Sequence, residues 1–141
     1  MRWGVGVLLA TSGCLWSGPP PSSEVVVEIN LPAQASSLAG SQPPVARLYH
    51  SEYQTAQLIL ATEPIATHRH MHSEETVYLI SGTGVLSVDG ADYRLATGDF
   101  VVVPRNTRHS FRPTGELPVK VLSIYAPAFI EGDRVFESSR D

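Results

Sequence analysis

The chain has 141 residues, of which 43% are hydrophobic, and it carries a formal net charge of −4 at pH 7. This length suits one domain with a buried core and is short for two. The charge is mild and the sequence has no basic patch interleaved with aromatic residues, so we expect no nucleic-acid partner.

The first residues have the pattern of an export signal. Arg2 supplies a positive charge, residues 5–10 form a short apolar run, and small residues precede Cys14, the single cysteine. The pattern resembles a bacterial lipoprotein signal, which is cut before the cysteine so that a lipid can be attached to the thiol. The resemblance implies a signal peptide over residues 1–13 and an extracytoplasmic chain anchored to the membrane surface by lipidated Cys14. The alternative is a cytoplasmic chain with an ordinary thiol.

Residues 14–44 are rich in proline, serine, alanine and glycine. Such a composition buries little apolar surface, so we predict a tether between the anchor and the domain. Residues 25–31 are rich in β-branched side chains and are the exception, because they could dock as an extra edge strand. The predicted domain then covers residues 45–135, and residues 136–141 form a tail.

From residue 45 onward, short apolar runs alternate with turn residues, and no helical period is sustained. The pair Asp89-Gly90 predicts a tight hairpin turn. Short strands at this even spacing favour an all-β sandwich or barrel of two sheets, with the run Val101-Val102-Val103 buried between layers. The nine predicted strands cover residues 47–49, 55–62, 66–70, 76–81, 84–88, 92–95, 100–103, 108–112 and 119–126.

A cluster of metal-ligating residue types lies at residues 68–75, which include three of the five histidines and two carboxylates. On a strand, His68 and His70 point to the same side, where both could reach one ion. Glu75 follows His70 after four residues, and Gly82 follows Glu75 after six more. These residues form a first motif.

A second motif lies downstream, where Gly98 is followed after five residues by Pro104, and Asn106 is followed after two residues by His109. In order and spacing, the two motifs resemble those of the cupin superfamily, with Asn106 where the family usually has glycine. The short gap between them is similar to that of compact single-domain bacterial cupins. The resemblance covers about residues 45–135 and implies a jelly-roll β-barrel, also called a double-stranded β-helix.

The resemblance further implies that His68, His70, Glu75 and His109 coordinate one divalent metal ion inside the barrel. Three imidazoles and one carboxylate suit Fe, Mn, Zn, Ni or Cu, and octahedral geometry leaves two positions open for water or substrate. A single histidine would more often be a hydrogen-bonded structural residue, but the joint pattern favours metal binding. The residue types do not select one metal or one substrate.

Two functions fit this pattern. The first is a metal-dependent enzyme acting on a small molecule, an oxygenase or an isomerase or lyase, with His72 or Tyr78 as the nearest catalytic general base. The second is a non-catalytic extracytoplasmic lipoprotein that binds a metal or a small ligand. A homodimer through residues 45–60 is compatible with both. The arginines that could bind an anionic substrate are Arg47, Arg69, Arg105, Arg108 and Arg112.

Overall fold

The computed structural model describes residues 28–42 and 44–137. The predicted signal peptide and Cys14 lie outside the described residues. None of the described helices has the length and apolar character needed to cross a membrane. The elements are α1 (Leu31–Leu38), β1 (Val45–His50), β2 (Thr55–Ala61), β3 (Ile65–His70), β4 (Glu74–Ser81), β5 (Thr83–Val88), β6 (Ala91–Ala96), β7 (Phe100–Val103), β8 (His109–Thr114), β9 (Val119–Ala126) and β10 (Arg134–Phe136).

The strands form two five-stranded antiparallel sheets. The strand order is β1-β2-β9-β4-β7 in the first sheet and β10-β3-β8-β5-β6 in the second. The chain crosses repeatedly from one sheet to the other, as in a double-stranded β-helix, so the predicted all-β jelly-roll fold is confirmed. All nine predicted strands are present, with ends shifted by at most two residues. The tenth strand, β10, was not predicted.

The hydrophobic core lies between the two sheets. Alternation along β4 shows how it is built, because Val77 and Leu79 are 5% and 0% exposed while Tyr78 between them is 38% exposed. The inward side chains of β4 meet those of β5 and β8 across the barrel, including the buried Leu86 and Phe111. The metal-ligand candidates therefore sit at one end of a dry apolar interior.

Helix α1 covers part of the outer face of β2. Its N-terminus is capped by the side-chain oxygen of Asn30, which accepts the backbone N–H of Ala33 at 2.9 Å. Ala35 is buried against Leu58 and Leu60. The helix therefore has a reason to form in a proline- and serine-rich segment, because it has a cap and buries a small apolar face.

This helix lies within residues 14–44, where composition predicted a tether. The alternative of an edge strand over residues 25–31 is not seen at residues 28–31, where Leu31 begins the helix. Residues 25–27 lie outside the described part of the chain. The composition of this segment predicts weak burial, but composition alone does not reveal a short capped helix that buries a few apolar side chains.

Strand β7 corrects the prediction that Val101-Val102-Val103 is buried between layers. It lies at the edge of its sheet and pairs with β4. Val103 is 2% exposed, but Val102 is 45% exposed and Phe100 is 65% exposed. A continuous apolar run is compatible with burial on both faces or with an apolar outer face, and periodicity does not distinguish them.

The predicted turns are confirmed where glycine or asparagine adopts a positive φ. Asp89 and Gly90 have φ of 47° and 87° between β5 and β6, as a tight hairpin turn requires. Asn106 has a φ of 61°, so it supplies the left-handed conformation at the position where glycine was expected. Its backbone N–H donates to the carbonyl oxygen of His70, which ties the second motif to the first.

Gly84 gives a first testable prediction, because a Cβ at this position would collide with the ring of Phe111 and lie 3.1 Å from the carbonyl oxygen of Arg112. We expect Gly84→Ala to lower the free energy of unfolding by about 1–3 kcal/mol, as overpacking of a core does. Urea denaturation of the wild type and the variant measures this difference in the free energy of unfolding. Adding Phe111→Leu should recover part of the loss, and two strictly additive losses would contradict the steric cause.

Candidate metal centre

The four predicted ligands converge inside the barrel. His68, His70, Glu75 and His109 each offer one ligand atom, and these atoms lie within 4.8 Å of one another. All four side chains are buried, with exposures of 3%, 2%, 6% and 4% in that order. The structure thus brings together residues from both motifs, although it contains no ion.

Strand pairing explains how distant residues meet. His68 on β3 is in register with His109 on β8, and His70 faces the same side of β3 two residues later. Glu75 comes from β4 in the opposite sheet, where it pairs with Tyr125 of β9. One sheet therefore supplies the three imidazoles and the other supplies the carboxylate.

Each of the three imidazoles has its Nδ1 atom in a hydrogen bond to an oxygen. Backbone carbonyl oxygens only accept, so the Nδ1 atoms of His68 and His109 carry the proton and their Nε2 atoms present a lone pair. An ionised carboxylate fixes His70 in the same way. The three bonds join His68 to Ala66 at 2.8 Å, His109 to Thr107 at 2.9 Å and His70 to Oδ2 of Asp133 at 3.0 Å.

Two of the three Nε2 atoms in this cluster have no hydrogen-bond partner among the described residues, and the third, that of His109, is bonded to Glu75. The two are those of His68 and His70, and both are buried. The Nε2 atoms of His109 and His70 lie 3.0 Å and 3.4 Å from Oε2 of Glu75. Converging acceptors without a donor are costly in a buried site unless a cation lies among them. The residues therefore fit a divalent ion, and their nitrogen and oxygen donors suit a transition metal or zinc.

The ionisation of the cluster agrees with this arrangement. Burial lowers the pKa of His68 to about 4, which keeps its imidazole neutral at pH 7. Burial opposes ionisation of Glu75, but its contacts with His109 and His70 outweigh this effect and hold its pKa well below the usual range. Burial also disfavours charge on His109, yet the hydrogen bond to Glu75 leaves its pKa raised. In the metal-free chain a proton at His109 satisfies Glu75, and an ion displaces that proton.

Asp133 supports the cluster from behind and was not singled out from the sequence. It is 0% exposed. Besides His70, it accepts the backbone N–H groups of His72 at 2.6 Å and Ser73 at 3.3 Å through Oδ1. Burial opposes its ionisation, but these hydrogen bonds lower its pKa overall. Asp133 is 63 residues from His70 in sequence, so no local spacing could have indicated the contact.

The second oxygen of Glu75 is also held. Its Oε1 accepts the hydroxyl of Tyr125 at 3.0 Å, and that hydroxyl oxygen accepts Nη2 of Arg134 at 3.2 Å. Burial raises the pKa of Tyr125, so the phenol keeps its proton and stays a donor. The carboxylate is thereby oriented with Oε2 directed at the imidazoles.

One cavity adjoins the cluster, and a larger cleft shares lining residues with that cavity. The inner cavity has a volume of about 30 Å³ and is lined by His68, Glu75, His109 and mostly apolar side chains. A water molecule needs roughly 10–15 Å³ measured in this way, so the inner cavity admits one or two water-sized groups. An outer cleft of about 480 Å³ lies next to it, which is within the usual size of a small-molecule site. The residues lining both are Ile59, Ile65 and Arg134.

His72 and Tyr78, the predicted general bases, line neither of these cavities. The side chain of His72 is exposed, and its backbone is held by Asp133. Tyr78 points to the outer face of β4 because its neighbours Val77 and Leu79 point inward. The structure therefore places neither side chain in these cavities, and a catalytic role for His72 or Tyr78 stays a prediction.

Comparison with known proteins gives the following findings. Residues 59–125 match the sequence model of the family described as "Cupin domain". The chain is 36% identical over 73 residues to acireductone dioxygenase of Rhodopseudomonas palustris, which is 49% of this chain and 44% of that protein. It is 34% identical over 67 residues to quercetin 2,3-dioxygenase of Bacillus subtilis, which is 48% of this chain and 20% of that protein. The chain therefore spans less than half the length of either enzyme.

Solved structures share the fold. A nucleoside dehydratase from Streptomyces superposes with a TM-score of 0.58 at 23% identity, over 66% of this chain and 76% of the other. At this level of identity the superposition shows a common fold, and it carries no information about a common activity.

Proposed function

We propose that the barrel is a cupin domain and that the protein is a divalent-metal-dependent enzyme acting on a small molecule, of the oxygenase type. One observation carries the proposal. Three imidazoles with anchored Nδ1 atoms direct their Nε2 atoms at Glu75 beside a cavity that leads to a cleft. A structural metal site is usually closed, whereas a catalytic site keeps coordination positions open toward a pocket.

The roles of the chain's own residues follow from their contacts. An ion held by the four ligands would supply Lewis acidity and, for a redox-active metal, electron transfer. Asp133 fixes the orientation of His70, and Tyr125 fixes that of Glu75. The mostly apolar walls of the inner cavity lower the local dielectric constant, which strengthens electrostatic interactions at the site.

The lining of the inner cavity favours an oxygenase over an isomerase or lyase. A base-dependent reaction needs a group that removes a proton from the substrate. Apart from the ligand candidates, the polar residues that line the inner cavity are Ser123 and Arg134, and neither is a ready base at pH 7. Activation at the ion itself is the chemistry that remains. The two dioxygenases similar to this chain support the proposal, and the dehydratase of the same fold keeps the lyase as the alternative.

Oxygen consumption tests the proposal. The 141-residue chain is loaded separately with Fe(II), Mn(II), Ni(II), Cu(II) and Zn(II), and each form is given a panel of diols, keto acids, thiols and sugars. We expect oxygen uptake with a redox-active metal and one substrate class, loss of uptake in His109→Ala, and retention in His72→Ala. Product formed equally without oxygen would replace the oxygenase with a lyase or isomerase. No turnover with any form would favour the non-catalytic binding protein.

The location of the protein is a separate proposal, supported by the residues around Cys14. We propose that the chain is extracytoplasmic and anchored to a bacterial membrane by a lipid on this cysteine. Expression in a bacterium with labelled palmitate should label the wild type in the membrane fraction and leave Cys14→Ser unlabelled. An unlabelled wild type that keeps Met1 and fractionates with the cytoplasm would overturn it. The homodimer through residues 45–60 likewise stays a prediction.

A further inference from the structure

Arg134 faces the interior of the barrel beside the metal-ligand candidates. It lies on β10, where it is in register with His70 of β3. His70 points inward, and directly opposed residues on neighbouring strands share a face of the sheet, so Arg134 points inward too. It is also the one arginine that lines the inner cavity and the outer cleft. The five arginines considered from the sequence line neither of the two.

The guanidinium of Arg134 is only partly satisfied. Nη2 donates to the hydroxyl of Tyr125, and the group lies over the ring of Phe129 with Cζ 5.8 Å from its centroid. Its Nε is buried and has no hydrogen-bond partner among the described residues. The ion pairs found among those residues do not include Arg134. The guanidinium is half-buried, and its buried Nε–H has no acceptor among the described residues, so an anion at this position would satisfy both the charge and the donor.

The charges of the site point the same way. Around the inner cavity, a divalent ion and Arg134 would face two carboxylates, Glu75 and Asp133, so positive charge would exceed negative charge there. The further carboxylate of the cleft, Glu63, is exposed to solvent. Asp133 is already engaged with His70 and the backbone of His72 and Ser73. A ligand that adds one negative charge would balance the site.

The position of Arg134 between the two cavities limits the shape of that ligand. The inner cavity, of about 30 Å³, admits only a water-sized group, while the outer cleft of about 480 Å³ admits the body of a small molecule. The ligand therefore meets Arg134 as its leading end reaches the ion. A single guanidinium pairs in a fork with a carboxylate, whose one negative charge it balances, whereas a phosphate would bring up to two.

We propose that Arg134 is the anion-binding residue of this site and selects substrates that carry a carboxylate with a second oxygen on the adjacent carbon. The free edge of the Arg134 guanidinium would donate to the carboxylate, and an ion held by the four ligand candidates would supply Lewis acidity to the adjacent oxygen. This assignment, which names 2-hydroxy and 2-oxo acids as the substrate class, rests on the proposed metal-dependent function.

Binding of lactate and its uncharged analogue lactamide tests the assignment. Isothermal titration calorimetry on the Zn(II)-loaded 141-residue chain avoids turnover. We expect lactate to bind the wild type roughly ten- to hundredfold more tightly than Arg134→Gln, as loss of a charged hydrogen bond predicts. Arg134→Lys should be intermediate because it keeps the charge and loses the fork. Lactamide should bind weakly and equally to all three.

Arg112→Gln is the matched control, because it removes an exposed arginine that lines neither cavity. It should keep the preference for lactate over lactamide. Equal lactate affinity in the wild type and Arg134→Gln, or an equal loss for both ligands, would overturn the assignment. Zinc content and lactate binding to the metal-free chain are measured in parallel. A chain that binds lactate through Arg134 but takes up no metal would overturn the proposed function and keep the anion site.

Discussion

Replacing His109 with alanine is expected to lower the affinity of the chain for Zn(II) by more than about a hundredfold. The reason is that His109 supplies one of four converging ligand atoms and lies 3.0 Å from Oε2 of Glu75. Loss of a residue that merely orients a ligand costs roughly 10–100-fold in metal affinity, so loss of a ligand itself costs more. Competition with a chromophoric chelator measures the dissociation constants.

His72→Ala is the matched control for this experiment. It removes an imidazole from the same histidine-rich stretch, but one whose side chain is exposed and lines neither cavity. Its affinity for Zn(II) should equal that of the wild type. If His72→Ala and His109→Ala lowered the affinity equally, the metal would be bound by the stretch as a whole, and the four-residue cluster would be rejected.

The second large effect is expected at Asp133, where two substitutions should separate metal binding from stability. Asp133→Ala leaves the Nδ1–H of His70 and the backbone N–H groups of His72 and Ser73 without an acceptor. We expect the free energy of unfolding, measured with chelator present, to fall by about 3 kcal/mol. Metal affinity should fall as well.

Asp133→Asn should act mainly on the metal. Its remaining oxygen can still accept the two backbone N–H groups, so the free energy of unfolding should fall by only about 1 kcal/mol. Its amide nitrogen, however, donates a hydrogen bond to Nδ1 of His70, so the ring proton moves to Nε2. A protonated Nε2 has no lone pair with which to bind an ion. We expect roughly a 10–100-fold loss of Zn(II) affinity. Parallel losses of stability and affinity in both variants would contradict the role assigned to the tautomer.

The sequence predicts the ligand cluster well because its signal is local. Alternation on a strand places His68 and His70 on one side, and the resemblance of the two motifs to those of cupins adds Glu75 and His109. The strands are predicted for a similar reason, since turn residues such as Asp89 and Gly90 bound each short run. These features need no knowledge of which strands pair.

The residues that support the cluster depend on pairing and were missed. Asp133 and Arg134 reach the site because the short strand β10 pairs with β3, and a strand of three residues gives no periodic signal. Tyr78 was assigned to the site because it is near Glu75 in sequence. Side chains alternate between the two faces of a strand, and Tyr78 is three residues after Glu75. Tyr78 therefore lies on the opposite face of β4. Apolar character alone likewise did not show that Phe100 lies on an exposed edge.

The most direct test of the metal site is anomalous X-ray scattering from crystals of the Zn(II)-loaded chain, measured on both sides of the zinc absorption edge. The account predicts one strong peak within about 2.0–2.3 Å of Nε2 of His68, His70 and His109 and of Oε2 of Glu75. A zinc-loaded chain with its peak elsewhere, for example at His72, would contradict it. So would crystals that show these four residues in the same arrangement with no anomalous peak among them.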